Sequence, residues 1–340
     1  MLGRLEALTN LCGVSSNEKT VRAYIKEQAQ PFADEMWTDN LGNLFVHKKG
    51  EGRKIVACAH MDEVGAIVRG IRDDGLIVYQ CPDIDSRTVV SKRVVIGNDE
   101  VQGVIGAKAI HLQTDEEFER ALSHENLYID IGARDKAEAA KYVKRGDLVC
   151  FTTKFSCNEN GMIKAKALDD RTGCAVLLEM LKQDYDCDFY AVFTVQEERG
   201  LRGAQVVSYT LNPDLALVID GTTALDMPDM PSHKMITKVG EGAAVSVMDM
   251  RTIYNPKMVK ALVETAEKHG IKYQMRKGAK GGTDAGAIQS AVTGCITGGI
   301  SIPCRYIHSP VSVCSKADLE SVFALADAFI KDKKYEEVLS

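Results

Sequence analysis

The sequence contains no apolar run approaching the ~18 residues that a membrane-spanning helix needs. Its opening residues, MLGRLEALTNLCG, lack the basic, apolar and small-residue order of a secretory signal, because Arg4 and Glu6 interrupt any apolar centre. A cytoplasmic location and no membrane partner are therefore expected. There is no block of basic residues, and 42 Lys and Arg against 48 Asp and Glu leave a net charge of −6, which argues against a nucleic-acid partner. No two of the ten cysteines are spaced C-x-x-C, so neither a zinc knuckle nor a thioredoxin-like motif is present. Several lie in apolar runs (VACAH, DLVCF, GCAVLL), and they read as buried, reduced thiols. No internal repeat or low-complexity tract is visible.

What is present is an ordinary globular composition, 45% apolar and 26% charged over 340 residues, for which two domains are expected. The start reads as two helices, the second opened by an S-x-x-E capping box at Ser15–Glu18 and closed by Pro31. Strand-like NLFVHKK and KIVACAH follow, the second apolar enough for a central strand buried on both faces. From about Gly65 to Met162 short strand-like pieces recur between Gly and Asp-Gly turns (GAIVRGI, GLIVYQ, RVVIGN, VQGVIGAKAI, NLYIDIGA, GDLVCFT), the pattern of a compact barrel. After Lys164, helices and strands alternate again. Asn255-Pro256 opens one helix and Gly270 closes it, and Ser315 to Asp318 caps a final helix. The expected fold is α/β: a mixed-sheet α/β/α domain formed by residues 1–65 and 163–340, interrupted by a small β-barrel-like insertion at 66–162.

In open α/β sheets ligands bind beyond the carboxyl ends of the strands. There the sequence places His60 and Asp62 after KIVACA, Asp169-Asp170 after MIKAKAL, Glu197-Glu198 after FYAVFTVQ, Asp220 after LALVI and His308 after CITGGISIPCRYI. Two histidines with several carboxylates and no thiolate suit zinc, cobalt or manganese, and set a structural zinc site aside. The set suggests a dinuclear hydrolytic site, in which one carboxylate bridges two ions ~3.5–4 Å apart. Adjacent acids such as Glu197 and Glu198 can divide the work of metal ligand and general base. Asp62 can orient His60 through its far nitrogen.

The ordered motifs AHMDEVG (59–65), ALDDRTG (167–173), QEERGLRGA (196–204), VID (218–220), GGTDAGAI (281–288) and RYIHSP (305–310) resemble the glutamyl/tetrahedral-aminopeptidase family of dinuclear metallopeptidases over nearly the whole chain. The resemblance implies an aminopeptidase that takes residues from peptide N-termini with two divalent ions per subunit (Zn, Co or Mn). It implies His60 and Asp220 as ligands of one ion, Glu198 and His308 of the other, and Asp169 as the bridge. Glu197 is then the general base, and a cis peptide precedes Asp170. It further implies that residues 66–162 dimerise the chain, with dimers assembling into a tetrahedral dodecamer. Gly282, Thr283, Asp284 and Lys280 fall where the family borders its substrate side-chain pocket, and nearby Arg276 and Lys277 would favour acidic side chains. The chain departs from the family pattern at Arg199, commonly aliphatic, at Gly221, frequently Val, and at Gln289, commonly His. Two other readings compete. A metal-independent, endoglucanase-like glycosidase would use paired carboxylates but has no need of His60 and His308. A non-catalytic peptide-binding assembly would be expected to have lost a ligand or the base.

Overall fold

The computed structural model describes residues 1–278 and 280–340. Two short strands, β1 (Glu35–Thr38) and β2 (Leu44–Lys48), lead into β3 (Lys54–His60). The chain then leaves to build a closed antiparallel barrel from β4 (Ala66–Ile71), β5 (Ile77–Gln80), β6 (Arg93–Ile96), β7 (Val101–Ala107), β8 (Leu127–Asp130) and β9 (Leu148–Phe151), ordered β4-β5-β8-β7-β6-β9. It returns through β10 (Ser156–Cys157) and β11 (Met162–Ala165). The α/β layer is completed by β12 (Asp188–Thr194), β13 (Leu215–Thr223), β14 (Ala243–Val245), β15 (Tyr273–Met275), β16 (Ile296–Arg305) and β17 (Ser312–Ser315).

The main path of this second sheet is β1-β2-β12-β3-β13-β16-β17-β11-β10, with β14 and β15 added at β16. Four central strands, β12, β3, β13 and β16, run parallel, so their carboxyl ends lie along one edge. The chain visits β12 on one side of β3 and then β13 on the other. β3 is thus the switch point where an α/β sheet opens a crevice for a ligand.

Alternation along the central strands explains the layers. Ile55, Ala57 and Ala59 of β3, with Leu215, Leu217 and Ile219 of β13, face one core that includes buried residues of α1 (Leu2–Asn10), α2 (Lys19–Ala29) and α6 (Leu168–Met180). Val56 and Cys58, with Ala216 and Val218, face a second core under α7 (Ala204–Leu211) and α9 (Asp284–Ser290). A strand sandwiched this way must be apolar at every position, which is why KIVACA carries no polar alternation. The barrel carries the short helices α3 (Ser86–Val89), α4 (Asp115–Glu119) and α5 (Lys136–Ala139) in its connections, while α8 (Pro256–His269) packs into the first core of the layer. The barrel has its own core, centred on Val68, Ile77, Val94, Ile105, Ile129 and Val149.

Three local expectations are corrected. Helix α2 begins at Lys19 without a side-chain cap. Ser15 instead donates its hydroxyl to Asp62 Oδ2 at 2.6 Å, and Glu18 accepts from the Ser16 and Gln196 amides. The capping-box residues are thus drawn into long-range contacts. Helix α10 (Lys316–Lys331) is capped by Ser315, while Asp318 reaches across to the Gly240 and Gly242 amides at 2.6 and 2.7 Å. A further helix, α11 (Lys334–Leu339), follows it.

Where the chain departs to the barrel and returns, one buried carboxylate joins both crossings. Glu63 accepts from Lys166 at 2.7 Å, from Arg171 at 3.0 Å and from the Gly13 amide at 2.9 Å. Removing one partner of a buried ion pair leaves an uncompensated charge and costs ~3–5 kcal/mol. Glu63→Ala should lower unfolding stability by about that amount, whereas Asp73→Ala, which breaks the exposed pair with Lys136, should cost no more than ~1 kcal/mol. Denaturant unfolding of the two variants beside wild type measures the difference.

Candidate active site

The carboxyl edge of the parallel strands gathers the predicted site residues. His60 ends β3, Asp220 lies within β13, and Glu197 and Glu198 lie in a single helical turn (Glu197–Arg199) just past β12. Asp169 stands at the start of α6, and the Asp169–Asp170 peptide bond is cis. His308 comes from the loop between β16 and β17. Gln196 and His308 hold left-handed backbone conformations (φ 55° for both), uncommon for residues with a Cβ and concentrated at sites that bend the chain sharply.

Asp169 is the centre of the geometry. Its Oδ1 lies 3.1 Å from His60 Nε2, and its Oδ2 lies 3.6 Å from His308 Nε2. On the first side, Asp220 Oδ1 is 3.7 Å and Glu197 Oε2 3.9 Å from His60 Nε2. On the second, Glu198 Oε2 is 3.3 Å from His308 Nε2. Two half-sites thus meet at one carboxylate. Ligand atoms of His60, Asp169 and Glu198 lie within 4.8 Å of one another, as do those of His60, Asp170 and Asp220.

Asp62 contacts more than His60. Its Oδ1 is 3.4 Å from His60 Nδ1, and its backbone carbonyl is 3.1 Å from the same nitrogen. Its carboxylate also accepts the Glu197 amide at 3.0 Å and the Glu198 amide at 3.3 Å. The same turn is held from behind by Asn43, whose Oδ1 accepts the Val195 amide and whose Nδ2 donates to the Gly203 carbonyl. Gly203 is required here, since a Cβ would stand 2.3 Å from Asn43 Oδ1. Asp170 is buried behind His60; it accepts the Gly173 amide at 2.9 Å and the His60 amide at 3.3 Å.

Burial pushes the carboxyls upward: Glu198 to about 8 and Asp220 to about 7, each raised further by Asp169, and Glu197 and Asp170 well above the ordinary range. Asp169 is also buried, but its hydrogen bonds to His308 and His60 outweigh that and hold it low. His308 is raised to about 9 by Asp169. So many acids in one desolvated place cannot all ionise without compensating positive charge. The buried Glu198 Oε1 also finds no hydrogen-bond partner among the described residues. Paired imidazoles, converging carboxylates and an orphaned oxygen fit divalent cations of the borderline class.

Beside this cluster opens a cavity of about 290 Å³, lined by Gly221, Thr222, Arg276, Lys280, Gly282 and Thr283 among others. Lys280, Gly282 and Thr283 line this cavity, and Arg276 joins them, its guanidinium held by Thr222 Oγ1 and by the Gly278 and Lys280 carbonyls. Asp284 does not line the cavity. It is buried beneath it, accepting the Thr194 hydroxyl at 2.5 Å. Lys277 also lies outside the lining. Of the departures from the family pattern, Gln289 bonds to the Ile253 carbonyl and is outside that lining. Gly221 abuts the central carboxylate: a Cβ there would lie 3.1 Å from Asp169. Arg199 pairs with Asp83 of the β5–β6 connection at 2.7 Å. Ser15 and Glu18, read from the sequence as a helix cap, join this scaffold with no local signal for it, and Glu63, inside the motif AHMDEVG after β3, pairs with Lys166 and Arg171.

Residues 42–325 match the M42 glutamyl aminopeptidase family. A provisionally named aminopeptidase of Acetivibrio thermocellus is 40% identical over 328 residues, covering 96% of this chain and 97% of that protein. The crystal structure of a TET aminopeptidase from a marine sediment archaeon of the Thaumarchaeota superposes with a TM-score of 0.96 at 33% identity, covering 100% of this chain and 98% of that one. A TET peptidase of Pyrococcus horikoshii, described as able to assemble into a tetrahedron or a large octahedral shell, gives 0.86 at 32% identity over 97% and 98% of the two chains. With the fold, the ordered motifs and these relatives in agreement, the chain belongs to the M42 aminopeptidase family.

Proposed function

We propose that this chain is a two-metal aminopeptidase that removes single residues from the free N-termini of peptides, with Glu197 as general base. The observation that carries the reading is Asp169, whose two oxygens face two different histidine–carboxylate half-sites. His60 and Asp220 would hold one divalent cation, Glu198 and His308 the other, with Asp169 between them, and such ions (Zn, Co or Mn by donor type) polarise water and the scissile carbonyl.

The chain's own groups account for the rest. Glu197 is buried, lies 3.9 Å from His60 Nε2, and has its backbone pinned by Asp62. A carboxylate so placed takes the proton of the attacking water and passes it to the departing amine. Carboxylates around the cluster receive the peptide's free amine. The first side chain enters the 290 Å³ cavity. There Lys280 makes no ion pair among the described residues, and with Arg276 it favours an acidic first residue.

Residues 66–162 form the self-association module in this reading, with dimers and then a tetrahedral dodecamer as the end state. What supports it is the connection between β7 and β8, where Ile110, Leu112 and Phe118 are 68%, 61% and 64% exposed, large apolar side chains that association with another copy would cover.

The first test is hydrolysis of free-amine peptides beside their N-acetylated twins, after chelation and after restoring Zn, Co or Mn. Metal-restored cleavage confined to free N-termini is the expected result; equal cleavage of blocked peptides would replace the reading with an endopeptidase or deacylase. Glu197→Gln should lower kcat by about 10²–10⁴ while the protein still takes up metal, measured by elemental analysis; wild-type turnover by this variant would remove Glu197 from the mechanism. Lys280→Ala should narrow the preference for acidic over neutral first residues in the same panel. Phe118→Asp should reduce the native mass toward the monomer by light scattering, and an unchanged mass would move the interface elsewhere.

A further inference from the structure

A second cavity, about 370 Å³, also touches Glu198 and is lined by residues of the barrel and of the turn that carries Glu197. That volume is within the ~300–1,000 Å³ of small-ligand pockets. Its walls come from the loop at Val14, from the start of β4 and the end of β5, and from the segment after β12. The two cavities share one residue, Glu198. A peptide whose first residue occupies the 290 Å³ cavity, and whose scissile bond lies at Asp169 and Glu197, therefore has this space for the part that leaves.

The charges in this space are few. They are Glu198, Asp83, Arg199 and Arg202. Glu198 faces His308 at 3.3 Å, and Asp83 is engaged with Arg199 at 2.7 Å. Arg202 is exposed and makes no ion pair among the described residues. Its backbone is fixed, because its amide donates to the Gln196 carbonyl at 3.2 Å, within the turn that carries the general base. This backbone-anchored arginine, three residues beyond the partly neutralised Arg199, forms with it a cationic rim on the cavity. Arginine presents paired N–H donors that match a carboxylate.

We infer that this cavity is the leaving-side subsite and that Arg202, assisted by Arg199, reads a carboxylate on the peptide beyond the scissile bond. The inference rests on the aminopeptidase reading above. The carboxylate has two sources: the C-terminus of a dipeptide, or an acidic side chain on the second residue. Asp83 tempers the site by holding Arg199.

The test uses the metal-loaded full chain and four peptides sharing the best first residue X: X-Ala with a free carboxyl, X-Ala-amide, X-Asp-amide and X-Asn-amide. Hydrolysis of the p-nitroanilide of X, which carries no carboxylate, establishes separately that the centre works. In wild type, kcat/KM for the acid over the amide (terminal source), or for X-Asp-amide over X-Asn-amide (side-chain source), should be about tenfold, mainly through KM. Arg202→Gln should bring that ratio toward one, and Arg202→Lys should retain part of it. Asp83→Asn should raise the ratio by releasing Arg199, a gain that misfolding cannot mimic. If wild type hydrolyses the anilide and both ratios are one, or if a ratio survives in the Arg199→Gln/Arg202→Gln double variant, this inference is overturned and the aminopeptidase reading stands. If no metal restores anilide or peptide hydrolysis, both fall together.

Discussion

One buried carboxylate, Asp62, ties the working edge of this molecule together. It faces the far nitrogen of His60, accepts the amides of both Glu197 and Glu198, and takes the Ser15 hydroxyl from the segment between the first two helices. A charged acceptor makes stronger hydrogen bonds than a neutral one, and in a desolvated place their loss is expensive. The positions of Glu197 and His60 and the path of the N-terminal segment therefore depend on one side chain. This explains why the S-x-x-E motif at Ser15–Glu18 does not cap its helix: the site claims both side chains.

The second constraint is charge density. Asp169, Asp170, Glu197, Glu198 and Asp220 converge where water is scarce. Apolar packing could not tolerate such a cluster, and its presence at a sheet edge costs stability. Folded domains keep such arrangements at functional sites and compensate through the rest of the core. Here compensation comes from central strands buried on both faces and from glycine at points of closest approach, notably Gly203 behind the Glu197–Arg199 turn and Gly221 beside Asp169.

Much of this was legible in the residues. The apolar run of KIVACA could only be a strand covered on both sides, and the Gly-punctuated short strands announced a barrel. Acids and histidines after successive strands marked the edge where a parallel sheet binds its ligand. What escaped was long-range. Nothing local tells Asp284, which opens α9 after a glycine-rich stretch, that its carboxylate turns inward to Thr194. Nothing local tells Glu18 that its partner is the Gln196 amide, far along the chain. Local propensity describes which element forms; it is silent on which distant backbone amide a side chain will satisfy. β1 was overlooked because a four-residue strand at a sheet edge, half exposed, carries almost no pattern.

The clasp of Glu63, Lys166 and Arg171 has a mechanical meaning. The barrel joins the α/β layer through a neck of two chain crossings, and both are fastened to the same carboxylate. Arg171 continues the connection into the Leu8 carbonyl of the first helix and the Met61 carbonyl beside His60. A load applied to the barrel, whether by a neighbouring copy or by thermal rocking, enters the layer at this knot and spreads into helices α1 and α6. The hinge is stiff by electrostatics rather than by width. A displacement of the barrel is thus carried toward the segment that bears His60 and Asp62 through the Met61 carbonyl, and toward the Glu197 turn through the Arg199–Asp83 pair.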